Sequence, residues 1–275
     1  MKLLVVGDFH GKFPKKFENM IKKQKIDLVV SLGDYAPFAY RKLWFEYCYG
    51  KDVELWEIIG KKKYGELVRK DLDSAEGVLK KLNKLPVPVF TVLGNIDWPE
   101  PDDIMDLGSK GKTMPNWDEK EMLVKRMKKY KNIRRIDYKA VRFGDYVFVG
   151  MRGHSAPGKP RSKAFSKHKK ILEMLFKKYR KENKEGRVVF VSHIIPYDTK
   201  LDKISMTAHK KVRGKHYGSK LVRWAIKKFQ PLVAFGGHIH EGMGKDKIGE
   251  TVVINPGAAH EGHGVVLELV DMTKN

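Results

Sequence analysis

Eight short apolar runs rich in β-branched residues recur along the chain. They are KLLVVG at 2–7, DLVVSLG at 27–33, VPVFTVLG at 87–94, YVFVG at 146–150, RVVFVS at 187–192, PLVAFGG at 231–237, TVVIN at 251–255 and VVLELV at 265–270. A strand with one solvated face alternates apolar and polar positions, whereas these runs are continuous, which predicts central strands covered on both faces. Between them the period becomes helical. Leu221, Val222, Ala225, Ile226 and Phe229 fall on one stripe, Ser219 stands where an N-cap is needed, and Pro231 follows the end. Residues 164–182 behave likewise: Phe165, Ile171, Leu172, Leu175, Phe176 and Tyr179 form the apolar stripe. Lys163, Lys167, Lys169, Lys170, Lys177, Lys178, Arg180 and Lys181 lie mostly off it, as a solvated face would. Strand and helix in alternation make an α/β pattern.

Two segments break this rhythm. Residues 36–70 are crowded with Phe38, Tyr40, Trp44, Phe45, Tyr47, Tyr49, Trp56 and Tyr64, and 98–120 carries Pro99, Pro101, Gly108, Gly111 and Pro115. We read both as insertions at strand ends, the first helical and the second a long loop, where α/β proteins place substrate-selecting elements. The aromatic segment reads as a packed cap or a homodimer contact rather than a base-stacking platform. No repeat, low-complexity tract or linker divides the chain, so residues 1–275 are expected to form a single domain.

Composition narrows the class. The single cysteine, Cys48, excludes a disulfide framework and a cysteine-rich zinc ribbon, and points to a reducing, cytoplasmic setting. The N-terminal run LLVV is too short for a secretory signal, and no stretch approaches the roughly 20 apolar residues of a spanning helix, so no membrane association is expected. The formal charge is +23, from 56 Lys+Arg against 33 Asp+Glu. Such a balance attracts polyanions. The basic residues are nevertheless mostly interleaved with acidic ones, and nucleic-acid motifs are absent, so nucleic acid is an alternative partner that is not favoured. Abundant lysine with only two glutamines, Gln24 and Gln230, suits a heat-adapted organism.

Five separate strand ends stop in metal-ligating residue types: Gly7-Asp8-Phe9-His10, Gly33-Asp34, Gly94-Asn95, Ser192-His193 and Gly236-Gly237-His238-Ile239-His240. Each motif alone is common. Together they occupy one kind of position, glycine-relieved turns at the carboxyl ends of strands, where open α/β sheets place ligands. The pairs Asp8/His10 and His238/His240 have an i, i+2 spacing that in extended backbone points both side chains to one side. Carboxylate, imidazole and amide donors suit borderline divalent metals such as Mn, Fe, Ni or Zn.

The ordered series GD-x-H-G, GD, GN, SH and GH-x-H resembles the calcineurin-like metallophosphoesterase superfamily, and the resemblance runs from residue 7 to the NPGA at 255–258. The tail from HIIPYDTKLD to INPGAA is similar to compact archaeal-type members. The resemblance implies a four-layer α-β-β-α sandwich with two mixed β-sheets and the site at one rim. It implies a metal-dependent phosphoesterase acting on a phosphoester substrate through a metal-bridging hydroxide. It further implies two divalent transition-metal ions, Mn foremost with Fe, Ni or Zn as alternatives. Asp8, His10, Asp34 and His240 would hold one ion, and Asp34, Asn95, His193 and His238 the other, with Asp34 bridging. Asp34, Asn95 and His193 would be the residues closest to the chemistry.

One position departs from the pattern. Where much of the superfamily has a histidine after GN that helps protonate the leaving group, this chain has Ile96. Asp97, His216, His260 and His263 are the candidates to replace it or to contact substrate. Asp97 reads more simply as a turn carboxylate orienting its neighbours. His216, just before the helix at Ser219, could present its ring and the helix amides to a phosphate, or merely cap a loop. His154, in RGHS beside Arg152, Lys159 and Arg161, reads as part of a solvated loop. The missing acid favours a phosphodiesterase over a phosphomonoesterase. The competing readings are a nuclease acting on DNA or RNA and a non-catalytic metal-binding scaffold.

Overall fold

A computed structural model describes residues 1–270 apart from 50, 52, 98–121, 155, 209 and 211. In chain order the strands are β1 (Lys2–Val6), β2 (Leu28–Ser31), β3 (Val89–Thr91), β4 (Ile133–Arg135), β5 (Ala140–Phe143), β6 (Tyr146–Met151), β7 (Val188–Ile194), β8 (Val233–Gly237), β9 (Gly244–Ile248), β10 (Thr251–Asn255) and β11 (Val265–Glu268). The helices are α1 (Lys16–Gln24), α2 (Arg41–Tyr47), α3 (Leu55–Ile59), α4 (Lys61–Asn83), α5 (Met122–Met127), α6 (Lys163–Lys178), α7 (Arg180–Lys184) and α8 (Lys220–Phe229).

The strands form two mixed sheets, one in the order β11-β1-β2-β3-β4 and the other β5-β6-β7-β8-β10-β9. Within each, the inner strands run parallel, and antiparallel pairing is confined to β1 with β11, β5 with β6 and β9 with β10. Strand side chains sort by parity. Leu3 and Val5 of β1 point into a core between the sheets, where they join Leu28, Val30, Phe148, Val189, Val191 and Phe235. Leu4 and Val6 point the other way, to Phe17 and Ile21 of α1 and Leu72 and Leu79 of α4. On the second sheet, Val188 and Phe190 turn outward to Leu172 and Phe176 of α6 and Leu221 and Ala225 of α8. The result is the four-layer α-β-β-α sandwich, with central strands apolar on both faces because both faces are covered.

The eight expected strands are present, and β4, β5 and β9 are additional. Ser219 caps α8, its hydroxyl accepting from the Val222 N–H at 3.1 Å. The 164–182 pattern resolves into α6 and α7, broken at Tyr179. His168 joins its buried face, facing the Tyr138 hydroxyl through Nδ1 at 2.8 Å. The segment 36–70 is helical as expected. Its Tyr40, Cys48, Leu55 and Tyr64 are buried in the same core as α4, while Phe45, Tyr47 and Ile58 remain exposed. The expected loop at 98–120 lies outside the described residues. No helix among those described is long and apolar enough to cross a membrane.

Beyond the strands proper, the parallel pairing of β1 with β2 continues into their loops. Leu32 N–H donates to Val6 O at 2.8 Å, Asp8 N–H to Gly33 O at 2.9 Å, His10 N–H to Asp34 O at 3.0 Å and Gly11 N–H to Tyr35 O at 2.8 Å. The loops carrying the predicted site residues are thus hydrogen-bonded extensions of the sheet. Gly33, at φ +87°, passes so close to the β3 loop that a methyl group there would overlap the Gly94 nitrogen. Gly33→Ala is therefore expected to destabilise the fold by about 2 kcal/mol or more. Thermal unfolding measures it, and an unchanged melting temperature would mean that the two loops separate freely.

Candidate metal centre

The inner strands of both sheets deliver their carboxyl ends to one rim. Asp8 follows β1, Asp34 follows β2, Asn95 follows β3, His193 lies near the end of β7 and His238 follows β8. With His10 and His240 these five make up the seven predicted residues, and all seven come together. Donor atoms of Asp8, His10 and Asp34 lie within 4.8 Å of one another, as do those of Asp34, His193 and His238. Asp34 is common to both groups. His240 Nε2 stands 3.4 Å from Asp8 Oδ1 and 3.3 Å from His10 Nε2. Asn95 Oδ1 stands 2.9 Å from His193 Nε2.

The convergence is not produced by extended backbone. Asp8, His10, Asp34 and His238 have φ of 56°, 43°, 56° and 71°, in the left-handed region that non-glycine residues rarely enter. The i, i+2 rationale is accordingly corrected: left-handed turns, not strand alternation, aim these side chains. His238 and His240 do not act as a pair on one side either. His238 groups with Asp34 and His193, and His240 with His10 and Asp8.

Asp8 and Asp34 are both buried. Asp8 Oδ2 accepts from the His238 N–H at 3.1 Å, but its Oδ1 is buried with no hydrogen-bond partner. Asp34 Oδ1 accepts from the Ile96 N–H at 3.2 Å. Burial and the neighbouring Asp8 charge push the Asp34 carboxyl up, although His193 works the other way. Burial opposes ionisation of Asp8 as well, yet the histidines around it, His240 first, outweigh it and hold its carboxyl well below the usual range.

The imidazoles are held in two ways. Burial depresses His10 to about 4 and His238 to about 3, leaving both neutral at pH 7 with a lone pair to offer. His193 and His240 are also penalised by burial, but the facing carboxylates, Asp34 for His193 and Asp8 for His240, raise them above the ordinary 6.5. A carbonyl only accepts, so the proton of His193 sits on Nδ1, which donates to Leu32 O at 2.8 Å. His10 Nδ1 likewise meets Ala36 O at 3.3 Å. Their Nε2 atoms are thereby turned toward other acceptors, His193 toward Asn95 Oδ1 and His10 toward His240 Nε2. Ring nitrogens, an amide oxygen and two buried carboxylates, one of whose oxygens (Asp8 Oδ1) has no hydrogen bond, converge within a few ångströms, a donor set that a divalent cation can gather. The residues present fit such a group.

The remaining candidates separate. Asp97 is fully buried, and its oxygens accept from the N–H groups of Tyr35 (2.6 Å), Asp34 (2.7 Å) and Gly94 (2.8 Å), which staples the β2 loop to the β3 loop. Burial, reinforced by Asp34, lifts its pKa to about 7. That is the orienting role of the simpler reading. His216 belongs to neither group; its Nδ1 is 2.7 Å from Asp202 Oδ1. His263 Nδ1 is 3.4 Å from Glu261 Oε2 and is likewise outside the groups. His260 does enter, with donor atoms of His10, His240 and His260 within 4.8 Å of one another. His154 is not part of a solvated loop. Like Arg152 it is buried, with Nε2 2.8 Å from the Ser219 hydroxyl, because the chain after β6 reaches the N-terminus of α8, where Lys220 N–H donates to Pro157 O at 3.1 Å. The carbonyls of Leu32, Ala36 and Asp8 that orient the rings have no signature in the sequence.

The calcineurin-like phosphoesterase family model matches residues 1–242. The chain belongs to that family. An uncharacterised protein of Methanocaldococcus jannaschii is 27% identical over 261 residues, covering 93% of this chain and 88% of that protein. Among solved structures, one crystal structure superposes with a TM-score of 0.67 at 21% identity over 97% of this chain and 94% of the other. A dimetal phosphatase from Danio rerio gives 0.53 at 11% identity over 98% and 93%. At these identities the structural likeness is one of fold, and it is the sandwich described above.

Two outcomes follow for the metal-free calcineurin-like chain. Folding depresses His10 and His238, so their contribution to stability is full above pH 6.5 and is lost as the pH falls through about 4 and about 3. Histidine NMR is expected to show both rings titrating near those values, and midpoints near 6.5 would contradict the burial described. Asp97→Ala strands three buried amides and should cost about 3 kcal/mol in denaturant unfolding. A loss under 1 kcal/mol, on the order of one net hydrogen bond, would mean that water replaces the carboxylate.

Proposed function

We propose that this family member is a dinuclear, metal-dependent phosphodiesterase. Asp8, His10, Asp34 and His240 hold one divalent cation, and Asp34, Asn95, His193 and His238 hold the other. The observation that supports this reading is the placement of Asp34 in both donor groups beside Asp8 Oδ1, a buried oxygen that accepts no hydrogen bond. A pair of cations in that position supplies the charge that acidifies a water and neutralises the phosphoryl oxygens. Carboxylate, amide and imidazole donors suit Mn first, with Fe, Ni or Zn as alternatives.

The chain's own residues do the rest. Asp34 is aimed by the Ile96 N–H, and its backbone is fixed by Asp97. The neutral rings of His10 and His238 offer lone pairs without first having to lose a proton at pH 7. The ring of His193 is locked by Leu32 and cannot turn its Nε2 away. No side-chain acid stands at 96, and Asp97 is engaged by three amides, so the leaving oxygen receives no proton from this segment. General-acid help is worth about 10²–10⁴-fold, so its absence favours leaving groups that depart readily, as from an activated diester.

The test is a screen of the purified chain with Mn²⁺, Fe²⁺, Ni²⁺ and Zn²⁺ against bis(p-nitrophenyl) phosphate and p-nitrophenyl phosphate. Metal-dependent turnover should favour the diester. Asp34→Asn should lower it by about 10³-fold, the equivalent of about 4 kcal/mol in the barrier. Wild-type protein that loads metal but turns over neither ester would leave the scaffold reading standing.

A further inference from the structure

We propose that His260 is a fifth protein ligand to the cation assigned above to Asp8, His10, Asp34 and His240, an inference that rests on the proposed function. The segment bearing it is stitched onto the end of β1. Ala259 N–H donates to Gly7 O at 2.8 Å and His260 N–H to Asp8 O at 3.3 Å. The ring is thereby carried to the rim from β10, an element that contributes nothing else to the predicted site. It stands edge-on to His10 at 4.9 Å between centroids and to His240 at 5.3 Å.

The orientation of the ring separates a ligand from a mere stitch. Nδ1 lies 2.9 Å from the Asp8 carbonyl oxygen. That oxygen accepts only, so Nδ1 carries the proton and the lone pair of the neutral ring is on Nε2. Glu261 Oε1 is 3.7 Å from Nε2, too far for a hydrogen bond. The same device, a backbone carbonyl on Nδ1 with Nε2 left for another partner, orients His10 on Ala36 and His193 on Leu32. It is how proteins fix metal-ligating histidines. Donor atoms of His10, His240 and His260 lie within 4.8 Å of one another, a spacing at which one cation can gather all three rings. With His260 included, the two proposed positions differ. One has three imidazoles and two carboxylates, and the other has two imidazoles, an amide and the shared Asp34.

The experiment follows ring nitrogens of the full-length, 15N-histidine-labelled protein during titration with Zn²⁺, with His260 assigned by its loss in His260→Asn. Nε2 of His260 is expected to move from the position of an unprotonated nitrogen to that of a metal-bound one, in step with His10 and His240. If His10, His193, His238 and His240 move and His260 does not, this inference falls and the proposed function stands. If none moves, both fall. The asparagine variant also keeps the stitch, since its amide nitrogen can reach the Asp8 carbonyl, but has no donor in the place of Nε2. It should fold with an unchanged melting temperature without metal and bind one of two Zn²⁺ ions about 10–100-fold more weakly in chelator competition. Wild-type affinity for both ions in that variant would overturn the assignment.

Discussion

Two carboxylates buried side by side set the terms for everything around them. Asp8 and Asp34 lie at neighbouring strand ends, almost wholly removed from water, where like charges raise one another's ionisation cost. For Asp34 the protein groups relieve only part of that cost, whereas around Asp8 the histidines outweigh it. The His238 N–H serves one oxygen of Asp8, the Ile96 N–H one oxygen of Asp34, and the rings of His193 and His240 lend positive charge when protonated. Asp97, a third buried carboxylate close by, shows the contrast. With three amide donors it is satisfied as a structural group, while Asp8 keeps an oxygen without a hydrogen bond. The chain thus makes one complete carboxylate site and leaves an incomplete one beside it.

Holding the incomplete site in place requires the backbone to be placed against its own preference. The ladder between β1 and β2 extends past both strands, and within that extension Asp8, His10 and Asp34 adopt left-handed φ values. Such conformations persist only where the surroundings over-determine them. Here the over-determination is visible in the hydrogen bonds from Asp8, His10 and Gly11 to the β2 loop and in the Asp97 staple across to the β3 loop. Glycines 33 and 94 let those loops touch; a methyl group on Gly94 would overlap the Asp34 carboxylate. Packing, backbone strain and electrostatics therefore meet in the same few residues.

Much of this was legible in the sequence, and what was missed has a physical cause. A continuous apolar run reports a strand covered on both faces, so the central strands were found. The missed strands β4, β5 and β9 are sheet edges, short and interrupted by charge, as in Ile133–Arg135 and Gly244–Ile248. The strand-end residues are legible because turns after parallel strands share one rim, but the left-handed backbone that aims Asp8, His10 and His238 is not, since φ is not written in residue types. Arg152 and His154 looked solvated because a basic loop usually is. Both are buried, and His154 meets the hydroxyl of Ser219, 65 positions away, a contact that local patterning does not register. The carbonyls that fix His10, His193 and His260 are likewise invisible, since every residue has one.

The segment after Gly94 shows why isoleucine at 96, where the family resemblance leads one to expect an imidazole, leaves the frame intact. Asp34 is met there by the backbone N–H of Ile96, not by a side chain, and the cross-loop staple is the carboxylate of Asp97 one position further on. Any residue at 96 other than proline, with the same backbone, can supply the first contact, and the second does not involve position 96. The side chain at 96 is therefore free to vary in chemistry while the carboxylates, the rings and the two loops keep their places. Under the proposed function, what changes with it is the help offered to a departing oxygen, and so which esters are cleaved readily rather than whether the cage can form.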